Sequence, residues 1–256
     1  MFPQLDSIVY LDNAGATLPS KQQLAAATDE LLSTPFANPH SVGPAASLSA
    51  SAIEQVKRDI LETLFNVSTK EYHLVFTSGA TAAMKMVGEL FPWQNGGQFL
   101  YIRQSHNSLV GIREYAKAKG ASFEAYDEEI LGNRTLPRRF RKRQTGRIPE
   151  GPCLFAVPGE CNFSGAKFDT SNALGNTATY FGEHTSRPTS EDENRQWYTL
   201  LDASKLVATS AVDLRHIAPD FVCASFYKVF GFPTGMSMPS LLFTGTISVC
   251  AQFNSS

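Results

Sequence analysis

Tyr72-His-Leu-Val-Phe-Thr-Ser-Gly-Ala-Thr81 changes character halfway along. Residues 72–77 are rich in β-branched and aromatic side chains and read as a strand. Ser78-Gly-Ala-Thr81 then opens a helical segment that runs to Phe91. Free backbone N–H groups at a helix start, beside small hydroxyl side chains, suit an anion such as a phosphate. Serine and glycine are common at any helix start, so a plain capping role for this turn stays open. Outward from this unit the pattern repeats, with a strand at 98–102, a helix at 108–119 and strands at 121–126, 152–157, 198–202 and 220–224. Upstream, 20–34 and 45–66 read as helices, and in the second Ile53, Val56, Ile60, Leu61 and Leu64 share one face. Strands and helices alternating at this spacing predict an α/β fold, with a mostly parallel central sheet flanked by helices.

The chain has 256 residues, 43% hydrophobic and 18% charged, with a formal net charge of −2. That is a globular composition without the cationic excess that draws a protein to nucleic acid or an anionic membrane. Cys153, Cys161, Cys223 and Cys250 are scattered without metal-ligand spacing, which fits a reducing compartment. No basic and apolar leader opens the chain, and no apolar run is long enough to span a bilayer. A soluble cytoplasmic protein with no nucleic acid or membrane partner and no metal ligands is expected. Residues 134–147 are strongly basic and read as a solvated loop, and 165–196 as a polar surface insertion.

Two charged residues stand where apolar strands end. Lys228 follows the run 221–224 and precedes Gly231, in a segment that is otherwise apolar. A lysine stripped of water has a lowered pKa and becomes an amine nucleophile toward an aldehyde. A lysine snorkelling from a strand edge is the competing reading. Asp202 ends the run 198–201, where a buried carboxylate needs a cation. The protonated ring nitrogen of pyridoxal phosphate is one such cation, and an N-cap of the segment 203–206 is the alternative. Ser225 offers a further hydroxyl to a phosphate. His106 suits stacking on a flat ring or moving a proton, or else sits near a helix cap. Asn162 suits a hydrogen bond to a phenolic oxygen, or else forms a turn.

The same residues lie in longer strings: Tyr10-Leu-Asp-Asn-Ala-Gly-Ala-Thr17, Asn38-Pro-His-Ser41, Phe76-Thr-Ser-Gly-Ala-Thr81, Ser105-His106, Asn162-Phe-Ser-Gly165, Leu201-Asp-Ala203 and Ser225-Phe-Tyr-Lys228-Val-Phe-Gly-Phe-Pro-Thr-Gly235. In this order they resemble the class V aminotransferase family of pyridoxal-phosphate enzymes, and within it the cysteine-desulfurase-like group that includes the molybdenum cofactor sulfurases. The resemblance implies the large domain of fold type I, incomplete at its C-terminus, over residues 1–235, with 236–256 as a divergent tail. It implies that Lys228 holds pyridoxal 5′-phosphate as a Schiff base, Asp202 pairs its ring nitrogen and His106 stacks over the ring. Ala80, Thr81 and Ser225 hold the phosphate, and Asn162 lies near the phenolic oxygen. It further implies L-cysteine as sulfur donor, the molybdenum cofactor as acceptor and pairing into a homodimer. Lys205 and Tyr227 depart from the desulfurase pattern, which has a glutamine and a histidine there. Beyond Gly235 the family's persulfide cysteine and smaller domain are not found. The alternatives are therefore a non-catalytic subunit that binds the cofactor or dimerises, and another class V aminotransferase or lyase activity. The stretch 241–253 is expected to form a substitute strand or an exposed apolar segment.

Overall fold

A computed structural model of the chain describes residues 2–131, 151–175, 197–231 and 247–252. The basic stretch 134–147 lies outside them. Helix α1 (Lys21–Ser33) starts on a capping box: Ser20 accepts from the Gln23 N–H, and the Gln23 side chain accepts from the Ser20 N–H. Helix α2 (Pro44–Leu64) has proline in its first turn, where the missing N–H costs nothing. Then come β1 (Tyr72–Phe76), α3 (Ala80–Leu90), β2 (Gln98–Ile102), α4 (Asn107–Val110), α5 (Ile112–Ala118) and β3 (Ser122–Tyr126). After these follow β4 (Cys153–Pro158), α6 (Thr170–Gly175), β5 (Trp197–Asp202), α7 (Leu206–Thr209), α8 (Leu214–Ile217), β6 (Phe221–Cys223), α9 (Phe226–Phe230) and β7 (Ile247–Gln252). The helix expected over 108–119 is two helices meeting at Gly111. The polar insertion expected from 165 contains α6, whose Thr170, Ala173 and Leu174 are buried; residues 176–196 lie outside the described set.

The strands form one sheet in the order β1-β7-β6-β5-β4-β2-β3. Strands β3, β2, β4, β5 and β6 are parallel, while β7 runs antiparallel between β1 and β6. Strand β4 is buried along its whole length, as a continuous apolar run inside a sheet covered on both faces should be. Its side chains alternate between two cores. Cys153, Phe155 and Val157 join Ile60 and Leu61 of α2, Leu214 of α8 and Phe226 of α9. Leu154 and Ala156 join Met84 and Val87 of α3 and Ile112 of α5. Each fully buried Leu or Phe contributes about 1.5–3 kcal/mol relative to exposure, which fixes the strand register and so the level at which every strand ends.

Among the described residues, no helix is long and apolar enough to cross a membrane.

Candidate active site

The last residue of β5, Asp202, stands level with Pro158 of β4 and Cys223 of β6. Three parallel strands therefore deliver their carboxyl ends to one edge, where ligands bind in open α/β sheets. Asp202 is 6% exposed, and its Oδ1 accepts from the Ser204 N–H at 3.0 Å. It caps no helix, since α7 begins at Leu206 behind Lys205. Burial pushes its carboxyl above the ordinary range, against the pull of Ser204, His106 and Lys228.

Lys228 reaches the same edge from α9, three residues past the buried Ser225 and two past the buried Phe226. Burial holds its amine below the ordinary lysine range. Asp202, Asp12 and Glu160 pull the other way, and Lys205 adds to the lowering. The backbone of α9 is pinned by the N-terminal segment. The Thr17 hydroxyl donates to the Lys228 carbonyl at 2.6 Å, and the Gln23 amide donates to the Phe230 carbonyl at 3.2 Å. Gly231 closes α9 in the left-handed region, at φ 70°, and a Cβ there would stand 2.5 Å from the Leu18 carbonyl carbon.

Helix α3 points its N-terminus at this edge, with Gly79 as N-cap and, among the described residues, no side-chain cap bond. The Thr81 and Ser108 hydroxyls are 2.8 Å apart. His106 caps α4: its Nδ1 accepts from the Ser108 N–H at 3.1 Å, which leaves Nε2 to carry the ring proton in the neutral form.

These elements enclose a cavity of about 600 Å³. Ala80, Thr81, His106, Asn162, Asp202, Ser225 and Lys228 all line it. All seven residues singled out in the sequence thus meet in one place, although up to 148 positions separate them in the chain, from 80 to 228. Glu160 and Lys205 also line it, as an ion pair of 3.1 Å with side chains 4% and 12% exposed. The signal of Glu160 in the sequence is weaker than that of Asp202: an acid two residues past the end of an apolar strand rather than at its end. Lys205 was marked only as a departure from a pattern.

Chemically the cavity brings together the N-terminus of α3, a buried acid and a desolvated amine. Pyridoxal phosphate asks for that donor set, having a phosphate, a basic ring nitrogen and an aldehyde. The residues present fit it.

The class V aminotransferase model matches residues 9–180, and pyridoxal phosphate is the cofactor of that family. The chain is 40% identical over 253 residues to a molybdenum cofactor sulfurase of Solanum lycopersicum, covering 92% of this chain and 30% of that protein. It is 36% identical over 244 residues to the human protein of the same name, covering 92% and 26%. It thus spans about a third or less of the length of these relatives. Among solved structures, a NifS-like protein from Rickettsia africae matches with TM-score 0.69 and 15% identity, over 97% of this chain and 59% of that one. A cysteine desulfurase from Thermococcus onnurineus matches with TM-score 0.70 and 19% identity, over 98% and 55%. These likenesses establish the fold, that of the pyridoxal-phosphate transferases of fold type I. With the family's model running through two-thirds of the sequence, and its fold realised strand by strand, the chain belongs to the class V aminotransferase family.

Proposed function

We propose that the chain is the cofactor-binding part of a molybdenum cofactor sulfurase-type enzyme. In this reading the whole protein takes sulfur from L-cysteine and passes it to the molybdenum cofactor. The observation that carries the reading is the meeting of Lys228 and Asp202 in one cavity, each shifted by burial and each felt by the other. Pyridoxal phosphate, when bound, supplies an aldehyde and an electron-withdrawing ring. Lys228 offers the unprotonated amine and later carries a proton on the same nitrogen. Asp202 would keep a proton on the ring nitrogen. The first N–H groups of α3 with Ala80 and Thr81, and the Ser225 hydroxyl, would hold the phosphate. His106 would hold the ring and Asn162 its phenolic oxygen.

L-cysteine as substrate is supported by similar folds solved as SspA in complex with cysteine and as a cystine C–S lyase with cysteine persulfide. A narrower role, binding the cofactor without passing on sulfur, is favoured by one observation: the described cysteines Cys153, Cys161 and Cys223 are all buried. Free thiols also fit the cytoplasm, which we keep as the location. Pairing of two copies belongs to the same proposal and is read by sedimentation.

Addition of pyridoxal phosphate is expected to give a visible absorbance band in the unaltered chain and none in Lys228→Ala. Equal bands in both proteins would remove Lys228 from its role. Sulfide release from L-cysteine under a reductant then separates the full reaction from the narrower role.

A further inference from the structure

Three amines line one cavity: Lys85 is largely exposed and stands 3.6 Å from Glu89, Lys228 has been given work, and Lys205 has not. Lys205 is fixed from several sides. Its Nζ stands 3.1 Å from Glu160 Oε1 and donates to the Cys161 carbonyl at 3.2 Å. The other Glu160 oxygen accepts from the Thr209 hydroxyl. The ammonium is thereby clamped between the segment after β4 and the helix α7. A buried ion pair gives little net stability over well-packed apolar side chains of the same size. Its position in the wall of the cavity points to another use.

We propose that Lys205 is a positioning residue for Lys228: its clamped ammonium keeps the proton off the neighbouring amine and so keeps that amine nucleophilic. This rests on Lys228 being the reactive amine, as proposed above. Lys228 is faced by Asp202 from the end of β5, by Asp12 from the N-terminal segment and by Glu160 after β4, while His106 lines the same cavity. The three acids favour the protonated amine. Burial and Lys205 oppose them. Glu160 holds the Lys205 cation in the cavity wall. Like charges in a partly desolvated site disfavour each other's protonated form.

The test is competitive acetylation of the whole chain without cofactor, followed by peptide mass spectrometry. Each lysine's rate at about pH 8 is expressed as a share of its own rate at about pH 10, which removes differences of access. In the unaltered chain the share for Lys228 should exceed that for the exposed Lys119, which lies outside the cavity lining. K205Q should cut the Lys228 share by about three- to tenfold, and K205R, which keeps the cation, should retain it. An unchanged share in K205Q, or an equal loss in K205R, would overturn the proposal. Should K205Q not fold, the unaltered chain still decides: the Lys205 share must lie below that of Lys228, and equal shares refute a standing cation. A Lys228 share no higher than that of Lys119 would instead sink the earlier reading of Lys228.

Discussion

A carboxyl and an amine that both lose water on folding disturb the fold in opposite pH directions. Asp202 has its folded value raised, so its contribution to stability is full below the ordinary carboxylate range and is lost as pH rises through the folded value. Lys228 has its folded value lowered, so its contribution is full above the ordinary lysine range and is lost as pH falls through the folded value. Near neutrality both groups are held at a cost to the fold. Asp202→Asn keeps an oxygen for the Ser204 N–H while removing the buried charge. We therefore expect it to raise the melting temperature without cofactor by about 2–4 °C, and to weaken pyridoxal phosphate binding by about 10- to 100-fold. Thermal melts and a binding titration check both, and a lower melting point with unchanged binding would contradict the assignment. Asp202 was legible as a site residue because an acid ending an apolar strand is costly unless it is used. The Lys205–Glu160 pair was not legible, because its partners come from different loops, 45 positions apart, at 160 and 205.

At the scale of elements, local pattern carried far. Strand β2 lies where the apolar run 98–102 places it, and the capping box fixes the start of α1. Contacts across the chain were invisible. Nothing in Tyr10 to Thr17 says that this segment braces α9, yet Thr17 bonds its backbone and Leu18 fills the space beside Gly231. Gly231→Ala places a side chain in the left-handed region and against Leu18. It should destabilise the fold by about 1–3 kcal/mol and weaken cofactor binding together with it, read by chemical denaturation and the same titration. Retention of both would show that α9 does not depend on this brace. Residues 247–252 show the other limit. Of the two expectations for 241–253 they take the strand, but the sequence gives no register. Hydrogen bonding to β1 on one side and β6 on the other supplies it, and without that strand two edges would stand unpaired.

At the scale of the whole molecule, the sheet buries cysteines in both cores. Cys153 is fully buried, and burial pushes its thiol up to about 12. Cys223, also fully buried, lies in the opposite core. Neither should be alkylated by iodoacetamide in the folded chain near neutral pH, and both should react once denaturant unfolds it. Early labelling of one alone would show that the two faces of the sheet open separately. The alternation of strands and helices gave the fold class from the sequence, because its periodicities are local. The cavity exists only once β4, β5 and β6 lie in register, so its volume and the placing of Lys205 in its wall belong to the folded molecule.

The central claim is that one particular amine condenses with the cofactor. Incubating the chain with pyridoxal phosphate, reducing with borohydride and mapping the peptides tests it most directly. The pyridoxyl mark is expected on the peptide carrying Lys228 and absent after Lys228→Ala; a mark on Lys205, or spread over the exposed lysines, would contradict it.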